Sequence, residues 1–82
     1  MVIGRVIGNV WATRKVENLS GLKFMIIELN TKERIVACDG VGAGIGDRVI
    51  ITKGSSARKV LDLDNSPIDA TIIGIIDEEE GA

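Results

Sequence analysis

Residues 2–13, VIGRVIGNVWAT, repeat with a period of two. The even positions Val2, Gly4, Val6, Gly8, Val10 and Ala12 are all small or branched and apolar, whereas Ile3, Arg5, Ile7, Asn9, Trp11 and Thr13 are mixed. A two-residue period belongs to an extended chain, whose successive side chains point to opposite faces, so the pattern predicts a strand with one buried side. Gly4 and Gly8 on that side give the freedom to bend that closing a small barrel requires. Val2, Val6 and Val10 are expected to fill the interior.

The same chemistry runs through the chain. Isoleucine (13) and valine (8) together outnumber alanine (6), and β-branched side chains favour a pleated surface over a helix. LKFMIIEL (22–29) reads as a second strand, joined by the short polar turn 30–33 to RIVAC (34–38). RVIITK (48–53) and DATIIGIID (69–77) complete five strands. Polar RKVENLSG (14–21) and glycine-rich DGVGAGIGD (39–47) read as loops, and GSSARKVLDLDNSP (54–67) has room for one short helical turn. These elements predict an all-β fold: a small five-stranded OB-like barrel with one short helix or helical turn. A single domain over 1–77 is expected, followed by an acidic tail, 78–82, that frays at the terminus.

Absent residues exclude whole classes of chemistry. The chain has no histidine, so no Ser/His/Asp or Cys/His triad can form within it. Cys38 is the only cysteine, which removes internal disulfides and leaves too few ligands for a zinc site. It reads as a small buried hydrophobe in a protein of a reducing compartment. No apolar run approaches the ~20 residues of a membrane span, and Met1 to Val10 lacks the order of a signal peptide. Neither a catalytic site nor a cofactor or metal is expected.

Two small-residue loops remain as candidates. In Val41-Gly42-Ala43-Gly44 and its flanks the glycines alternate strictly and a strand follows, which fits neither the dinucleotide fingerprint nor the phosphate loop. Tight turns with positive φ explain them instead. Gly54-Ser55-Ser56-Ala57-Arg58 places two hydroxyls beside a guanidinium. It reads as a helix N-terminus capped by Ser55 or Ser56, with Arg58 paired to Asp69 or Asp77, and otherwise as an anion site. A small anion-binding regulatory subunit is therefore one alternative. A single-strand nucleic-acid module is the other, although one Trp, one Phe, no Tyr and a net charge of −2 supply neither the stacking platform nor the basic groove.

The apolar content, 45 %, exceeds what one small barrel can hide. Both faces of LKFMIIEL and of DATIIGIID are largely apolar, and each such side chain left in water forgoes roughly 1.5–3 kcal/mol. A domain this short also buries only roughly 60 % of its unfolded surface. Both facts predict self-association.

The order and spacing of GNVWATRK (8–15), VGAG (41–44), GSSAR (54–58), PIDA (67–70) and GIID (74–77) resemble the bacterial microcompartment vertex proteins of carboxysomes and ethanolamine-utilisation compartments. Asn30 to Glu33 is a minimal turn where many of that family carry a longer insertion. The resemblance implies an OB-like barrel that assembles as a cyclic homopentamer. It implies a structural role: capping the vertices of a polyhedral shell whose facets are hexameric shell proteins, in the bacterial cytoplasm, with neither nucleic acid nor membrane as partner. Val41, Gly42, Ala43, Gly44, Gly54, Ser55, Ser56, Ala57, Arg58 and Asp69 are then expected at subunit contacts or around the central axis.

Overall fold

The computed structural model describes residues 1–12, 15–62, 66–78 and 81. Alternating β-branched runs form five strands, β1 (Val2–Val10), β2 (Phe24–Leu29), β3 (Arg34–Asp39), β4 (Arg48–Lys53) and β5 (Ala70–Ile75). They close into a barrel in the order β1-β2-β3-β5-β4. Every neighbouring pair is antiparallel except β3 and β5, which run parallel through Cys38↔Thr71 and Asp39↔Ile72. The expected short helix is α1 (Ser55–Lys59), between β4 and β5. A 3-10 turn, Glu17–Leu19, lies in the stretch read as loop.

The interior is built from Val6, Met25, Ile27, Ala37, Val49, Ile51 and Ile72. A second apolar cluster lies between the outer wall at the β3–β5 seam and α1, where Cys38, Ala57 and Ile68 pack with Leu19, Leu22, Phe24 and Leu61. Thr71, fully buried at this seam, donates its hydroxyl to the Ala57 carbonyl at 2.7 Å. Cys38 is buried as expected, and burial pushes its thiol up; the Asp39 charge adds to the effect and Lys15 opposes it.

β1 departs from the simple alternation. Its pairing with β2 slips between Val6 and Gly8, as a bulge does, and the slip turns the second half of the strand over. Val6 stays inside and Val2 packs against the core, but Val10 is exposed and does not fill the barrel. Thr13, with which the predicted strand ended, lies outside the described residues, as do Glu79, Glu80 and Ala82 of the acidic tail. Gly4 serves close approach: a Cβ there would sit 2.5 Å from Ile27 Cγ2 and 2.9 Å from the Glu28 carbonyl oxygen. The β2–β3 hairpin turns through Asn30, Thr31 and Lys32, with the Lys32 N–H donating to the Leu29 carbonyl at 2.9 Å. Lys32 holds φ +75°, a left-handed position usually given to glycine.

Candidate functional site

Loop 40–47 is shaped by two aspartates that bracket it. Asp39 Oδ1 accepts the N–H groups of Val41, Gly42 and Ala43 at 3.0, 3.0 and 3.2 Å. Asp47 Oδ2 accepts that of Gly44 at 2.9 Å. Gly42 and Gly46 adopt φ +82° and +97°, which completes the tight winding expected of an alternating glycine run. The loop is moored at both ends, by Gly40 N–H to the Ile72 carbonyl and by Gly46 N–H to that of Val6. Between these ties Ala43 enters the barrel core as a plug at that mouth, while Val41 and Ile45 face solvent.

The second loop meets the same part of the sheet. Gly54, at φ +73°, donates its N–H to the Asp69 carbonyl at 2.8 Å. Gly54 is the N-cap of α1, and no side chain caps this helix, so neither Ser55 nor Ser56 plays the predicted part. The Ser56 hydroxyl instead donates back to the Lys53 carbonyl and lies 3.0 Å from Thr52 Oγ1. Arg58 Nη1 donates to the Ile68 carbonyl at 3.0 Å, so its hydrogen bond goes to the backbone beside Asp69. Ala57 is fully buried against the wall. The segment entering β5 thus gathers Gly54, Arg58 and Asp69, Gly40 is tied further along at Ile72 of β5, and Ala43 and Ala57 work from inside the two apolar clusters.

The outer wall is the larger feature. Adjacent isoleucines divide between the faces: Ile27, Ile51 and Ile72 point inward and are fully buried, and Ile26, Ile50 and Ile73 are half-buried on the outside. Cross-strand pairing sets Ile26 and Ile50 in two separate patches. One pairs Ile26 with Val36 on β2 and β3; the other pairs Ile3 with Ile50 on β1 and β4, beside Gly74 of β5. In the closed order of strands these patches occupy opposite walls. Val36 is 50 % exposed, and Trp11, just past β1, is 91 % exposed. A charged row, Arg48, Arg5, Glu28 and Arg34, crosses four strands beside them, with Arg34 Nε 3.6 Å from Glu28 Oε2. Arg5 Nη1 reaches the Gly46 carbonyl at 2.6 Å, which ties this row to the glycine loop.

Sequence reasoning recognised the glycine run as a tight turn, the second loop as the start of a short helix, and the surplus of apolar surface. It missed Asp39 and Asp47, although an aspartate just before a glycine run is the signal of a side chain that folds back onto following backbone N–H groups.

Comparison with known proteins covers nearly the whole chain. The family model described as "Ethanolamine utilisation protein EutN/carboxysome" matches residues 1–77. The bacterial microcompartment shell vertex protein GrpN of Rhodospirillum rubrum is 44 % identical over 86 residues, spanning 98 % of this chain and 97 % of that one. The solved GrpN pentameric microcompartment shell protein from the same organism superposes with a TM-score of 0.87 at 40 % identity, over all of both chains. The structure of Gloeobacter violaceus CcmL superposes with a TM-score of 0.90 at 39 % identity, covering 99 % of this chain and 90 % of the other.

Proposed function

The chain belongs to the ethanolamine utilisation protein EutN/carboxysome family, and on that premise we propose that it is a structural shell protein forming the pentameric vertex cap of a bacterial microcompartment in the cytoplasm. The observation that carries the physical side of this reading is the pair of apolar patches on opposite walls of one barrel. A surface that differs between the two sides of a subunit associates head to tail, and head-to-tail contacts close into a ring when the rotation permits. The number five comes from the solved relative described as pentameric. A flat layer of six-fold units becomes a closed polyhedron only where five-fold units replace them, so the partners of the ring are hexameric shell proteins. The structural role is supported by the relative named as a microcompartment shell vertex protein and by the glycine loop, whose N–H groups at Val41, Gly42 and Ala43 are taken up by Asp39.

Val41, Gly42 and Gly44 of the first loop, and Gly54, Ser55, Ser56, Arg58 and Asp69 around the second, are assigned to subunit contacts or the rim of the central axis. Ala43 and Ala57 hold those loops in shape from beneath. Native mass spectrometry of the purified chain is the test. A dominant species of five copies supports the assignment; a stable single copy at micromolar concentration refutes it.

A further inference from the structure

Trp11 is the only tryptophan of the chain, and it stands almost wholly in solvent immediately after β1. At the other end of the same strand is an open cavity of about 470 Å³, lined by Met1, Val2, Ile3, Leu29 and Ile50 together with Asn30 and Thr31. Ten residues of extended chain, at about 3.3 Å each, separate knob from hole by about 30 Å, so one subunit cannot fill its own cavity with its own indole. We propose that Trp11 of one subunit seats in this cavity of its neighbour and is the anchor of the ring contact; the inference rests on the pentameric reading above.

The chemistry of the two surfaces agrees. An indole needs an apolar bed for its ring and one acceptor for its N–H, and it gains from a thioether against its edge. The lining supplies branched aliphatic walls, and three of its residues carry the other groups: Met1 a thioether, Asn30 and Thr31 side-chain oxygens. The cavity beside Phe24 and Ile68, about 180 Å³, is less than half as large. The hollow next to Trp11 itself is flanked by Lys15 and Lys23, and it leaves the indole exposed. Knob and hole sit at opposite ends of β1, so the contact is head to tail, and each subunit both gives and receives one indole.

The single tryptophan makes the test spectroscopic. In the intact ring, emission should be blue-shifted and shielded from acrylamide, and dilution to single subunits should expose it. Trp11→Ala and, separately, Ile50→Glu should each raise the concentration at which rings fall apart by at least about thirtyfold, the cost of losing an interface anchor. Circular dichroism checks that each variant keeps its barrel, and Ile3→Gln serves as a second, milder change in the hole. Mixing Trp11→Ala with Ile50→Glu restores one good contact per pair, so the mixture should form dimers with a shielded indole. A wild-type ring whose tryptophan quenches freely, or a Trp11→Ala chain that forms rings as readily as wild type, overturns the inference and leaves the ring standing. Absence of any ring from the wild-type chain would overturn the reading beneath it as well.

Discussion

Replacing Asp39 tests whether one carboxylate holds the glycine loop in shape. Its side chain is almost fully buried, and a single oxygen collects three backbone N–H groups. In Asp39→Ala the N–H groups of Val41 and Gly42 turn to water at little cost, because both residues are exposed. That of Ala43 cannot: the residue is 1 % exposed and its side chain lies in the barrel core. A buried donor left without a partner costs about 1–3 kcal/mol, and loss of the charge-assisted bonding of the other two adds about 1 kcal/mol, for a total near 2–4 kcal/mol. At about 0.05–0.15 kcal/mol per residue, the whole domain has only on the order of 4–12 kcal/mol to lose. Asp39→Asn keeps the acceptor and should cost about 1 kcal/mol.

The ion pair with Lys23, at 4.0 Å and with the lysine 56 % exposed, contributes too little to confuse the comparison. Urea unfolding at one fixed subunit concentration gives the stabilities, since oligomer formation would otherwise shift them. Hydrogen exchange at residues 41–43 reads the loop directly, and its protection should fall in Asp39→Ala alone. If Asp39→Ala unfolds within about 0.5 kcal/mol of wild type, or if Asp39→Asn is as damaging as Asp39→Ala, the acceptor argument is wrong.

Two further changes probe the fold where it departs from ordinary preference. Lys32→Gly relieves a left-handed lysine and should stabilise the chain by about 0.5–1 kcal/mol in the same urea assay; a loss of stability would show that the lysine side chain makes up for its backbone. Cys38 titrates higher in the folded protein than its ordinary value of 9.0, so above that pH the unfolded chain releases its proton first and stability falls as pH rises, by at most about 1.4 kcal/mol per pH unit. Cys38→Ala should remove this alkaline slope from urea midpoints between about pH 8 and 10.5, and an unchanged slope would assign it to other groups.

How far the fold could be read from residues is clearest where local chemistry and tertiary packing agree. Period-two alternation placed five strands because β-branched residues and polar turns both favour that assignment, and the helix between β4 and β5 fell in the one segment with room for it. Val10 was misplaced because a bulge shifts parity without any mark in composition: Gly8 permits the slip, but the pairing with Ile26 on another strand decides it. Ser55 and Ser56 were read as caps from propensity, yet Gly54 at positive φ already aims the chain into α1 and ties its own N–H to Asp69. Such a choice depends on a residue fifteen positions away, which no local rule sees. Ala43 looked like one more small loop residue, and only the crossing of the barrel mouth makes it a plug.

The isoleucine doublets carry the argument furthest. On a strand, two adjacent branched residues must face opposite sides, so Ile26-Ile27, Ile50-Ile51 and Ile72-Ile73 each put one side chain into the barrel and one onto its outer wall. A monomer gains from the inner half of each doublet and leaves the outer half partly wet. Burying the outer halves against a neighbour adds a second apolar layer to a core that is marginal for its length, at no further cost in ordering the strands that hold them. Folding and assembly therefore draw on opposite halves of the same three doublets, and each strand that bears a doublet is stabilised from both sides once the neighbour docks. That coupling explains why a sequence so short keeps its greasiest residues in adjacent pairs rather than spacing them by two: alternation alone builds a barrel, and doubling builds a barrel that must have neighbours.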